Sequence, residues 1–152
     1  MENILISACL IGTACRYDGR DNYVAAVQQL KEQANLIPVC AEVLGGLTTP
    51  RTPSECKDGR VIGKDGKDVT EQFVRGAKQV CKTADFFQCR YAVLKERSPS
   101  CGFGQIYDGT FSKTLIHGNG VTAQCLMAQG VRIFGESQIP ELLKLLSSDA
   151  FQ

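Results

Sequence analysis

Short apolar runs recur along the chain, separated by segments whose apolar positions return at helical spacing. Residues 4–10 (ILISACL) are almost wholly apolar and stop at Gly12, which predicts a strand covered on both faces. In residues 22–35, Val24, Val27 and Leu30 share one helical face and predict a helix. Residues 36–42 (LIPVCAE) predict a second buried strand, although Pro38 interrupts it. Residues 43–56, rich in glycine and proline, predict loop. Residues 59–69 predict a small hairpin turning at Asp65–Gly66. The strongest helical pattern covers residues 69–84, where Val69, Phe73, Ala77, Val80 and Ala84 form one stripe, Asp68 suits the N-cap and Glu71 completes a capping box. Residues 91–96 (YAVLKE) predict a third strand, and an irregular segment follows with Asp108–Gly109 as a hairpin turn. Residues 121–130 predict a helix ending at Gly130, 131–136 a fourth strand, and 137–148 a last helix capped by Ser137.

Strands alternating with helices predict an α/β fold. It has three layers: a mainly parallel, Rossmann-like sheet of about four strands, helices on both faces, and a small hairpin excursion. No repeat, low-complexity segment or internal boundary interrupts the pattern, so residues 1–152 are expected to form one domain. In such sheets ligands bind outside the carboxyl ends of the strands. The ends of the first three predicted strands carry Cys9, then Cys40 and Glu42, then Lys95 with Ser98, Ser100 and Cys101 just beyond. Three cysteines distant in sequence are thereby expected on one rim, each followed by a glycine- or proline-containing loop.

Composition narrows what that rim does. The chain has eight cysteines and one histidine, His117. The apolar run after Glu2 and Asn3 lacks a basic segment and is too short to span a bilayer, so a cytoplasmic protein without a membrane partner is expected. In a reducing compartment cysteines are core residues, nucleophiles or metal ligands, and one histidine leaves little room for zinc–histidine or Cys–His chemistry. A net charge of +1 argues against a coat on long nucleic acid. Three thiols on one rim point to a soft metal centre. Cys81 and Cys125, on apolar helix faces, read as packing residues, Cys89 and Cys56 as ordinary pre-strand and loop residues, and His117 as a loop residue. Cys15 stays open between a spare ligand and a packed thiol. Glu42 is open between a surface or first-turn acid and a site acid, and Ser98 and Ser100 between turn-forming and site roles.

The segments SACLIG…CRYDG, PVCAEVLGGLTTPR, DVTEQFVRGA, KERSPSCGFGQIYDGTFS and GNGVTA closely resemble one family, the thiouracil desulfidases, once catalogued as a domain of unknown function. The resemblance runs from Ile4 to about Glu136. It implies a [4Fe–4S] cluster with three protein ligands and one open iron, the ligands falling by position on Cys9, Cys40 and Cys101. It also implies that Glu42 and Ser98 assist catalysis. Ala41 stands where the family usually has proline, which removes no reactive group. The expected reaction is hydrolytic removal of sulfur, as sulfide, from a thiolated pyrimidine, either a base such as thiouracil or a thiouridine nucleotide. Arg16, Arg51 and Ser100 are candidate substrate contacts, and Lys95 and Arg97 are further cations near the site. Two other readings stand beside it: a non-catalytic metal, iron–sulfur or nucleotide sensor, and a cysteine nucleophile in which Cys101 is activated at a helix N-terminus.

Overall fold

The computed structural model describes residues 1–149. In chain order the elements are β1 (Glu2–Ser7), α1 (Val27–Gln33), β2 (Ala34–Val39), α2 (Ala41–Leu44), β3 (Ser54–Lys57), β4 (Arg60–Gly63) and α3 (Thr70–Phe86). They continue as β5 (Tyr91–Leu94), β6 (Gln105–Tyr107), β7 (Leu115–His117), α4 (Val121–Ala128), β8 (Arg132–Gly135) and α5 (Ile139–Asp149). Four strands form a parallel sheet in the order β2-β1-β5-β8, and β3–β4 and β6–β7 form two antiparallel pairs.

The alternation of side chains along a strand sorts the core into two halves. Ile4 and Ile6 of β1, with Tyr91 and Val93 of β5, face Val27 and Leu30 of α1 and Ile139 and Leu142 of α5. Leu5, Ala92 and Leu94 face Val80 and Ala84 of α3 and Ala123 and Leu126 of α4. Each fully buried Leu or Ile contributes roughly 1.5–3 kcal/mol. That packing carries the fold without crosslinks, because all eight cysteines are free thiols. The chain crosses leftward from β1 to β2, then rightward to β5 and β8. Right-handed crossovers therefore put α1 on one face and α3 and α4 on the other. The reversal opens a crevice between the carboxyl ends of β1 and β5, where ligands of such sheets bind.

Several local expectations are corrected. The first strand ends at Ser7, and Ala8–Ile11 coil into a 3-10 turn closed by Gly12 at φ 102°, so Cys9 sits on a turn. The first helix is confined to Val27–Gln33, and β2 starts directly after it and stops at Val39. Pro38 is tolerated because β2 is an edge strand, paired only with β1. Glu42 belongs to the short α2, not to a strand. The expected turn at Asp65–Gly66 is present, with Gly66 at φ 82°, the Gly63 N–H donating to the Lys67 carbonyl at 2.8 Å and Ile62 bridging Asp68 antiparallel, and it is preceded by a β3–β4 hairpin that turns at Asp58–Gly59 with φ 50° and 76°. That conformation suits a tight two-residue hairpin, whose twist matches the flanking strands. Its first strand, β3, takes in Cys56, a position the sequence pattern assigns to loop. Val69, not Asp68, occupies the N-cap position of α3, yet the Asp68 carboxylate still accepts the Thr70 N–H at 2.9 Å. The β6–β7 connection spans residues 108–114, longer than a tight turn at Asp108–Gly109, and His117 closes β7.

Candidate functional site

A cavity of about 590 Å³ opens at the carboxyl ends of β1, β2 and β5. Its walls include Cys9, Cys40, Cys101, Glu42, Ser98, Arg16, Arg51 and Ser100, so the expected cluster ligands, catalytic residues and substrate contacts all reach this one crevice. Local structure positions each thiol differently.

Cys9 lies in the 3-10 turn, where its carbonyl accepts the N–H groups of Gly12 at 3.2 Å and Asn22 at 2.9 Å. Burial raises its thiol pKa, a hydrogen bond from Asn22 opposes the rise, and Cys40 adds to it. Cys40 holds the N-cap position of α2, and its carbonyl accepts the Leu44 N–H at 3.0 Å. A hydrogen bond with the Cys15 thiol holds the Cys40 pKa low, assisted by the Val43 N–H and Arg51, and raises that of Cys15. Cys15 is thus a buried neighbour of a rim thiol, inside the cavity wall.

Cys101 follows a turn built by Ser98. The Ser98 hydroxyl oxygen accepts the N–H groups of Ser100 and Cys101, both at 3.1 Å, and the Ser98 carbonyl accepts that of Gly102 at 2.8 Å. Arg97 enters this turn at φ 68°. The turn is then pinned to α4: Pro99 and Ser100 carbonyls accept the first amides of that helix at 3.0 and 2.8 Å. Those amides are therefore spent on the loop, as helix N-termini require. Burial pushes the Cys101 thiol up to about 12, against a hydrogen bond with Ser7 and with further increments from Cys9, Glu42 and Cys40. A thiol whose pKa is raised runs opposite to the lowered pKa that an activated nucleophile requires. The three thiols and Glu42 thus lie within electrostatic reach of one another.

Glu42 is fixed by Arg51. The guanidinium Nε donates to the Glu42 carboxylate at 3.0 Å, Nη1 to the Thr48 carbonyl and Thr49 hydroxyl, and Nη2 to the Cys15 carbonyl at 2.7 Å. With 7% of its side chain exposed, Arg51 ties the Cys15 loop, the 48–50 loop and Glu42 together and has little donor capacity left for a ligand. Ser100 is 1% exposed and its hydroxyl pairs with that of Thr122 at 2.7 Å, which makes it part of the α4 anchor. Arg16 spans Asn22 at 3.2 Å and Asp18 at 3.3 Å and lies over the Tyr17 ring, with a third of its side chain still open.

Other wall residues escaped the sequence reading. Ser7, 3% exposed, accepts the Lys95 N–H at 2.9 Å and so joins the ends of β1 and β5 beside Cys101. Its signal was a lone hydroxyl inside an apolar strand. Lys95 pairs with Glu136 at 2.8 Å, across from β5 to the end of β8. Glu55, 9% exposed, accepts the Gly109 and Phe111 N–H groups at 3.0 and 3.1 Å and holds that loop against the cavity. Lys64, Arg97 and Lys113 are exposed cations on three separate segments of the wall. Only tertiary structure joins the three.

Among the described residues, no three His, Cys, Asp or Glu side chains are grouped tightly enough to hold a single metal ion. None of the described helices is long and apolar enough to cross a membrane. Residues 4–138 match the 2-thiouracil desulfurase family. The chain is 37% identical over 150 residues to the uncharacterized protein YbbK of Bacillus subtilis (strain 168), covering 92% of this chain and 99% of that one. It is also similar to a solved structure, the [4Fe-4S]-dependent thiouracil desulfidase TudS, with a TM-score of 0.90 and 40% identity over 97% of this chain and 99% of that one. On this match of sequence and fold over nearly its whole length, the chain belongs to the 2-thiouracil desulfurase family.

Proposed function

We propose that the protein is a [4Fe–4S]-dependent desulfidase that hydrolyses a thiolated pyrimidine, base or nucleotide, and releases sulfide. The observation that carries this reading is the meeting of Cys9, Cys40 and Cys101, from three separate segments, around one cavity that also holds Glu42 and Ser98. The donor set suits the group: three sulfurs and no histidine favour a soft iron–sulfur centre. The similarity to a [4Fe-4S]-dependent thiouracil desulfidase supports the same assignment. Cys9, Cys40 and Cys101 would hold the cluster. When bound, it supplies an iron without a protein ligand, a soft Lewis acid for thiocarbonyl sulfur.

The chain's own residues supply the rest. Glu42, held by Arg51, accepts a proton from the attacking water. The Ser98 hydroxyl oxygen is occupied by two amides, which leaves its hydrogen to serve the ring nitrogen or the departing sulfur. Arg51 acts by positioning Glu42, and Ser100 by anchoring the Cys101 turn. Substrate contact falls to Arg16 and to the exposed Lys64, Arg97 and Lys113, cations suited to a nucleotide phosphate. The cavity volume lies in the range that encloses a small molecule of this size.

The test is anaerobic reconstitution with iron and sulfide. The expected product is brown, holds about four irons per chain, and releases sulfide from thiouracil or a thiouridine nucleotide. Protein that takes up no iron, or whose Cys9→Ser, Cys40→Ser and Cys101→Ser variants all retain it, overturns the assignment.

A further inference from the structure

Two thiols outside the crevice meet at the α3–α4 interface. The Cys81 sulfur lies 2.6 Å from that of Cys125, although the residues are 44 positions apart. Cys81 is buried, 3% exposed, whereas Cys125 is half-buried. Neither lines the cavity of the site. A disulfide bond is about 2.05 Å long, so joining them needs a sulfur displacement of only about half an ångström.

The position of the pair matters for what lies above it. At its end near the site, α3 packs on α2, the element that carries Glu42 next to Cys40. The two helices approach so closely at Gly45 and Gly76 that a Cβ on Gly76 would collide with the Ala41 carbonyl. α4 begins at the Cys101 turn, through Thr122 and the Pro99 and Ser100 carbonyls. Cys81 and Cys125 therefore join the helix beneath the Cys40–Glu42 segment to the helix beneath the Cys101 turn.

We propose that Cys81 and Cys125 form a reversible dithiol–disulfide pair that staples α3 to α4. The oxidant is a low-molecular-weight disulfide. The Cys125 sulfur, deprotonated, attacks one sulfur of that disulfide, forms a mixed disulfide and expels one thiolate. The Cys81 thiol then loses its proton and attacks the Cys125 sulfur, expelling the second thiolate. The balance is two protein thiols plus one small disulfide, giving one protein disulfide and two small thiols. Burial and the neighbouring Cys125 push the Cys81 thiol up to about 12, consistent with its acting as the slower, resolving partner.

The experiment treats the full chain anaerobically with oxidised glutathione, blocks remaining thiols by alkylation, and maps peptides by mass spectrometry. The expected result in the wild type is a Cys81–Cys125 crosslink that dithiothreitol reverses, with a melting temperature raised by roughly 5–10 °C. Cys81→Ser should stop at a glutathione adduct on Cys125, and Cys125→Ser should form no crosslink and show no shift. A lasting glutathione adduct on wild-type Cys125, or both thiols alkylated after treatment, overturns the proposal. The wild-type map decides the question even if a variant folds poorly.

Discussion

The Arg51 guanidinium and the Glu42 carboxylate are locked together at 3.0 Å, and the same guanidinium reaches the Cys15 carbonyl at 2.7 Å. One side chain thereby fixes the candidate proton acceptor relative to the loop that follows Cys9. The pair is shielded, with 7% and 20% of the two side chains exposed, so removing one partner strands a poorly solvated charge. Arg51→Lys keeps the charge and loses the fork. It is expected to cost about 1.5–3 kcal/mol and to lower the turnover rate without lowering iron content. Thermal unfolding beside turnover assays checks this; unchanged turnover would show that Glu42 is held by other means.

Glu42→Gln is nearly isosteric and removes the proton-accepting charge. An enzyme using Glu42 as general base should retain its iron and lose roughly 10²–10⁴ in rate. A metal or nucleotide sensor would keep both its iron and its function. Iron content and sulfide release measured on one preparation separate the two.

Ser98 has two separable jobs, shaping the Cys101 turn and donating its hydroxyl hydrogen. Asparagine can accept the same two turn amides but lacks a hydroxyl. Ser98→Asn is expected to keep iron and folded stability and to lose about 10²-fold or more in rate. Ser98→Ala should lose both iron retention and rate. Full activity in the asparagine variant would reduce Ser98 to a turn residue.

Close backbone contact between α2 and α3 depends on Gly76, where any Cβ would strike the Ala41 carbonyl. Gly76→Ala is expected to destabilise the fold by about 1–3 kcal/mol through overpacking and to displace the Cys40–Glu42 segment. Denaturant unfolding and iron uptake should fall together. A variant of native stability that loads iron normally would contradict the packing.

The exposed cations Lys64, Arg97 and Lys113 on the cavity wall should matter only when the substrate carries a phosphate. Replacing each by Ala is expected to raise KM for a thiouridine monophosphate by about 2–5-fold, corresponding to the ~0.5–1 kcal/mol of an exposed ion pair, and to leave free thiouracil unaffected. Added salt should shrink the difference. An equal effect on both substrates would place these residues elsewhere in the cycle.

Periodicity alone determined much of this protein. Short apolar runs and helical stripes reported the four parallel strands, the long α3 and the two helical layers, because burial on two faces leaves few other patterns. It also put Cys9, Cys40 and Cys101 on one rim, since parallel topology collects strand ends. Hydrogen bonding across the crevice decided the rest. Nothing local in Arg51, Ser100, Ser7 or Glu55 says that one clamps Glu42, another anchors α4, a third joins β1 to β5 and a fourth holds residues 109–111. Their partners lie on other elements, and Cys81 meets Cys125 only after α3 and α4 have packed. A sequence carries the period of each element, whereas the neighbours of a side chain exist only once those elements have been brought together in space.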